Sequence, residues 1–405
     1  MVPTDAAPDR QFTFDYDPGE LRCGRGRVAD LVDLLAARNR DRALVVTGSN
    51  VGANRAVMDP VEAGLGDRLA DVFDETTPAK YLRTGLAGVR RVHEADADAL
   101  VAVGSGSSLD VAKVIAALES HDDPEAAAEH AVASGSVPVA DDPLPIVAVP
   151  TTLAGADLSV IAGVSLSLDP AGTPDHEIPN GSVSDARLMP TALCYDLALF
   201  ETTPKSVRTA SAMNGFDKAV ECLYSPYATP VTDATAMRAL SLMSSGFGTL
   251  SAESMDEGDL YDAVAGVVLA QYGISTPGTY RASIVHAFGH GFSHDYEAHQ
   301  GVVHGILAPH VLRYVFARTH ARRDLLAAAL GVADATDPAA AVVDAVADVA
   351  ADLDLPARLR AVDGLDRDHL PDVADEIHDD GLMDAAPSGI DPTPAEILTV
   401  LEEAW

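Results

Sequence analysis

VAVGSGSSLDVAK, residues 101–113, decides the fold. An apolar run stops at a loop of glycine and serine, and an amphipathic stretch starts directly after it. Glycine lets a backbone come close to a phosphate, and a helix start offers unpaired N–H groups and a positive dipole end to the anion. Gly104, Ser105, Gly106 and Ser107 make such a loop. An ordinary strand-to-helix turn would use the same residues, and Asp110 and Lys113, one turn apart, could simply pair with each other.

Working outward, short apolar runs recur at ALVVTG (43–48), ALVAVG (99–104), PIVAVP (145–150) and ALCYDL (192–197). Helix-like segments such as VADLVDLLAARNR lie between them. Strands alternating with helices predict a parallel α/β sheet with its ligand chemistry at the carboxyl ends of the strands. After about residue 200 the texture changes to long Ala/Leu/Val-rich amphipathic runs: SVRTASAMNGFDKAVECLYS, VTDATAMRALSLMSS and LYDAVAGVVLAQYG. That pattern predicts helices. The expected organisation is a dinucleotide-binding α/β domain over 1–200 and an all-helical catalytic domain over 201–405. The acidic, Ala-rich region 320–360 reads as surface helix with a solvated face.

Composition narrows the function. A chain of 405 residues with 47% hydrophobic and 22% charged residues is globular, and its length suggests two domains. No apolar run approaches the roughly 20 residues that cross a bilayer. The start MVPTDAAPDRQF lacks a secretory pattern, and Cys23, Cys194 and Cys222 are too scattered for a disulfide framework. A cytoplasmic enzyme without membrane partner is expected. A formal net charge of -35 argues against nucleic acid, whose phosphates would be repelled. Such self-repulsion is tolerable where molar salt cuts the Debye length to about 3 Å, so a halophilic source is expected. Of the 27 basic residues only Lys80, Lys113, Lys205 and Lys218 are lysines.

GSGSSLDVAK resembles the GGGSxxDxAK loop of the iron-containing alcohol dehydrogenase family, and VPTTLAGADLS resembles its PTT segment. The resemblance continues through RLMPTALCYDLALFETTP, YATPVTDATAMRAL, GILAPHVLRY and PTPAEILTVLEEAW, in order along nearly the whole chain. It implies hydride transfer between NAD(P)H and a small carbonyl or oxo-acid substrate, in a cleft between the two domains. It also implies that Gly104, Gly106, Ser107 and Asp110 hold the pyrophosphate and nearby ribose. Thr151, Thr152 and Leu153 would line the cofactor cleft. A homodimer or higher homo-oligomer is expected. At the end of the first candidate strand stand Gly48, Ser49 and Asn50, with no acid to bind a ribose 2′-hydroxyl or repel a 2′-phosphate, which favours NADP over NAD.

VHAFGHGFSHDYEAHQGVVHG, residues 285–305, sets His286, His290, His294, His299 and His304 in one helical-looking segment, as a metal site would. Iron-dependent members of the family use an Asp and a His four residues apart on one helix, then two later histidines. Matched on KAVECLYS, Asn214 takes the aspartate position and Lys218 the histidine position. His286 falls on the first later histidine and His290 one turn beyond, while Gln300 takes the last ligand position. Only His286 persists, which implies no resident metal. In this respect the chain resembles the metal-independent maleylacetate-reductase-like branch, and PTTLAGADLS also fits that branch. A metal normally polarises the carbonyl oxygen, and a fixed cation can do part of that work. Lys218 is therefore the candidate catalytic cation, its pKa lowered by burial, with His286 and His290 as proton-handling partners. A lysine paired with Asp217 or Glu221 on the helix surface is the bland reading. The family's lysine beyond the PTT segment finds no counterpart in TPDHEIPNGSVSDARLMP. One rival is a metal-dependent alcohol dehydrogenase with a site rebuilt from Asp217, Glu221, His286 and His304. Others are a dehydroquinate-synthase-like lyase and a non-catalytic dinucleotide-binding relative.

Overall fold

A computed structural model describes residues 12–169, 178–276, 278–292, 296 and 299–405. Its strands as far as Asp196 are β1 (Glu20–Gly24), β2 (Ala43–Gly48), β3 (Leu69–Thr76), β4 (Ala99–Gly104), β5 (Ile146–Pro150), β6 (Ile161–Ser165), β7 (Asn180–Ser184) and β8 (Ala192–Asp196). Six of them form one sheet in the order β1-β8-β5-β4-β2-β3, each neighbouring pair parallel. β6 and β7 make a separate antiparallel pair.

The central strands are apolar at nearly every position because both faces are covered. Leu44, Val46, Leu100, Ala102 and Ala148 pack with Val111 and Ile115 on one face. Val45, Val101, Val103, Val147 and Val149 pack with Leu31, Leu34, Val57 and Val61 on the other. The four strands expected from their apolar runs are all present. β1 and β3 were not expected. They are the two edges of the sheet and carry Glu20, Arg22, Asp71, Asp74 and Glu75, charges that suit an edge and erase the apolar signature.

The chain steps from β2 outward to β3, then returns to place β4 on the other side of β2. At such a reversal the loops leaving the two strands diverge and open a crevice, where ligands of open α/β sheets bind. Here those loops are Gly48–Asn50 and Gly104–Ser107.

Beyond β8 the structure is mainly helical. The helix Lys205–Tyr224 is its centre, with every residue from Arg208 to Tyr224 buried. Pro230–Gly246, Glu257–Gln271, Ile284–His290 and Gln300–Arg318 pack around it. The histidine-rich stretch is two helices, Ile284–His290 and Gln300–Arg318, where one was expected. Gly289 and Gly291 weaken helix propagation at the break, and His294 lies outside the described residues. No helix among the described residues is long and apolar enough to cross a membrane.

Candidate active site

The glycine loop closes β4 with Gly104 at φ 130, a conformation that a Cβ would strain. Ser105 caps the helix Gly106–Glu119 in extended conformation, and Ser105 Oγ and Ser107 Oγ lie 3.0 Å apart. Ser105, Gly106 and Ser107 stay partly exposed, so the first amides of that helix open toward the crevice. Gly48 ends β2, and Ser49 and Asn50 are exposed beside it. A pyrophosphate-bearing dinucleotide fits this cradle. Asp110 pairs with Lys80 (2.9 Å) and not with Lys113. Lys113 is fully buried and donates to the carbonyls of Ala156 (2.8 Å) and Ile161 (3.1 Å).

The segment after β5 joins this loop to the helical half. Thr151 N donates to Gly104 O (2.9 Å), Thr203 Oγ1 donates to Thr151 O (2.6 Å), and Leu153 N donates to Ser211 Oγ (3.1 Å). Thr151 and Thr152 lie buried beside the crevice. The Leu153 side chain packs in the hydrophobic core.

Lys218 reaches the same segment. Its Nζ donates to Ala154 O at 2.7 Å, and Gln271, oriented by its bond to Gly155 O (2.6 Å), accepts from it at 3.2 Å. Burial lowers its pKa to about 8, against the opposing pull of Asp157 and Asp110. Lys218 is neither on the surface nor paired with Asp217 or Glu221, which removes the bland reading. One turn before it, Asn214 Nδ2 donates to Gln300 Oε1 (3.1 Å).

Glu221 and His286 meet at 2.5 Å between Oε2 and Nδ1. Burial would push the Glu221 carboxyl up, but His286 and the Ser283 amide outweigh it and hold the group below the usual glutamate value. Burial takes His286 down to about 4 although Glu221 opposes it, so at neutral pH the pair is carboxylate and neutral imidazole. His304 packs edge-on against His286 with centroids 4.5 Å apart, and its Nδ1 lies 3.3 Å from Asp217 Oδ2. That approach is not a formed hydrogen bond: among the described residues, both Asp217 oxygens, both His304 ring nitrogens and His286 Nε2 lack a hydrogen-bond partner. Burial drives the Asp217 carboxyl well up and takes His304 down to about 3, so the His304 ring rests neutral. His290 is half exposed and pairs with Asp380 at 2.8 Å.

Two family models cover most of the chain. Residues 18–193 match iron-containing alcohol dehydrogenase, and residues 208–405 match the C-terminal part of the Fe-containing alcohol dehydrogenase family. The chain belongs to the iron-containing alcohol dehydrogenase family. It is thus an NAD(P)-dependent oxidoreductase of the alcohol and aldehyde class. Among curated relatives, maleylacetate reductase 1 of Rhodococcus opacus is 25% identical over 84% of this chain and 83% of that protein. Lactaldehyde reductase of Escherichia coli is 26% identical over 94% of this chain and 97% of that protein. Among solved structures, a 1,3-propanediol oxidoreductase shares the fold with a TM-score of 0.84 at 23% identity, covering 97% of this chain and all of that one.

The residues expected at the family's metal positions, Asn214, Lys218, His286 and Gln300, are a poor donor set for an iron or zinc ion. They offer an amide, an ammonium, an imidazole and a second amide, and the two amides are bonded to each other. Divalent first-row ions need three or more anionic or imidazole donors. The rival set, Asp217, Glu221, His286 and His304, is brought together, but Glu221 is committed to its own hydrogen bonds. Among the described residues no group of three or more His, Cys, Asp or Glu side chains is arranged to hold a metal.

Sequence reasoning set Asn214 and Lys218 on one helix facing His286 and Gln300 on a second; in the structure the four lie on three helices, with Asn214 bonded to Gln300. It missed Gln271 and Asp380, distant in sequence and carrying no local signal. It also missed that Glu221 anchors His286, although 214, 218 and 221 share a helical face.

Proposed function

We propose that this family member is a metal-independent NAD(P)H-linked reductase, or alcohol dehydrogenase in reverse, for a small carbonyl or oxo-acid, with NADP(H) preferred. The observation that carries the reading is the bonded Asn214–Gln300 amide pair beside buried Lys218, at positions where a metal would need anionic or imidazole donors. Relatives named for maleylacetate and lactaldehyde support a small, oxygen-rich substrate. Three free cysteines agree with a cytoplasmic enzyme.

The nicotinamide supplies or takes the hydride when bound. Gly104–Ser107 hold the pyrophosphate by backbone amides, with Asp110 and the Thr151–Leu153 segment beside them. Lys218 supplies the positive charge toward which the substrate oxygen becomes negative. His286 Nε2 accepts the proton of the alcohol, or returns it to the alkoxide in reduction. His290, half exposed and paired with Asp380, exchanges protons with solvent.

The test is turnover. Purified in molar salt, the protein should oxidise NADPH faster than NADH with a panel of small aldehydes and oxo-acids. A protein that binds NADPH yet turns over no carbonyl or alcohol in the panel contradicts the reading. Cofactor choice has its own check. Ser49→Asp places a carboxylate at the exposed end of β2 beside Asn50, where it repels a 2′-phosphate and accepts from a 2′-hydroxyl. A repulsion of about 1–3 kcal/mol corresponds to a KM for NADPH raised roughly 10- to 100-fold, with NADH little changed.

A further inference from the structure

Glu221 is the most heavily hydrogen-bonded side chain of the site. Its Oε2 accepts from Ser283 N (3.0 Å) and faces His286 Nδ1 (2.5 Å). Its Oε1 accepts from Val285 N (2.7 Å), Tyr224 OH (3.1 Å) and Ser283 Oγ (3.3 Å). A carboxylate with no exposed surface is tolerated only when its lone pairs are satisfied in this way.

Two consequences follow from these partners. The short helix Ile284–His290 gets no side-chain cap from its own Ser283, and Glu221 caps it from the neighbouring helix. The place and tilt of His286 are therefore set by Glu221. An ionised carboxylate only accepts, so the proton of the neutral imidazole must sit on Nδ1. Nε2 is then the bare nitrogen, buried and without a hydrogen-bond partner among the described residues.

We infer that Glu221 is the positioning residue for His286: it fixes the tautomer that leaves Nε2 free for the substrate oxygen and pairs with the imidazolium formed there. The inference rests on the reading of His286 as the group at the reacting oxygen. In alcohol oxidation the carbon loses hydride to the nicotinamide and the hydroxyl proton moves to Nε2. The imidazolium then faces the Glu221 carboxylate, and reduction runs the same steps backward.

Glu221→Gln tests this directly. The amide oxygen can still accept from Val285 N, while the amide nitrogen, in the place of Oε2, gives up the Ser283 N–H and donates toward Nδ1, forcing the proton onto Nε2. Loss of a correctly oriented general base predicts kcat lower by about 100- to 10,000-fold, with KM values for substrate and cofactor within about threefold of the parent. In 15N spectra of histidine-labelled protein, the His286 signals should change from the Nδ1–H to the Nε2–H tautomer. Glu221→Asp, which keeps the charge, should recover part of kcat. Parent-like kcat in Glu221→Gln, while His286→Ala collapses, overturns the positioning role. So does a kcat loss with the tautomer unchanged. Parent-like kcat in His286→Ala overturns instead the reading of His286 on which the inference rests.

Discussion

Lys218→Met is expected to lower kcat for carbonyl reduction by about 100-fold or more, the range for removing one group that stabilises a developing oxyanion. Methionine keeps length and apolar bulk, so the change removes charge and leaves volume nearly constant. The pH profile carries the second signature. Burial depresses the Lys218 pKa to about 8, from an ordinary lysine value of 10.5. Reduction needs the ammonium, so its pH–rate profile should carry a limb that falls as pH rises through about 8. In Lys218→Met this limb should vanish. The linkage has a definite sign. Between pH 8 and 10.5 the unfolded chain holds a proton on this lysine that the folded chain has released. Stability contributed by this residue therefore rises with pH across that window, and the variant loses the rise. If Lys218 served only to clamp Ala154, the variant would show a lower Tm and a weaker cofactor KM with kcat intact.

Gly301→Val is expected to destabilise the fold by about 3 kcal/mol or more, at the upper end for overpacking. A Cβ on Gly301 would fall on the carbonyl of Ala210, where Gln300–Arg318 crosses Lys205–Tyr224 at backbone contact. Each kcal/mol lowers Tm by about 2–4 °C in domains of this size class. The contact is one residue from Gln300 and one turn from Asn214, so activity should fall in the fraction that stays folded. Gly381→Ala is the control, because a Cβ there meets nothing within 4 Å. A Tm for Gly301→Val equal to that of the control would mean that the two helices are not held at this distance.

Much of this arrangement is legible in the residues, and what is hidden is hidden for physical reasons. β2, β4, β5 and β8 announce themselves as apolar runs because both faces of the sheet are covered. β1 and β3, at the edges, trade that signature for charge. The glycine loop was readable because phosphate chemistry demands particular residue types there. Lys218 stood out because lysine is rare in this chain, but its carbonyl partners, Ala154 and Gly155, depend on how the segment after β5 folds back. Burial pushes the Asp217 carboxyl up and keeps His286 and His304 neutral, and burial is a property of the packed helices, not of spacing. The histidine-rich stretch promised a metal cage. In the fold His286 faces a carboxylate, His304 is sealed against Gly289, and His290 reaches Asp380.

The central claim is that an ammonium and an anchored imidazole do here what a metal does elsewhere in the family. The most direct measurement is the metal content of active enzyme, taken together with turnover before and after exhaustive chelation. The account predicts iron, zinc and manganese far below one equivalent per chain and full NADPH-dependent activity after chelation. One tightly held equivalent, with activity lost to the chelator and restored by that metal alone, would contradict it.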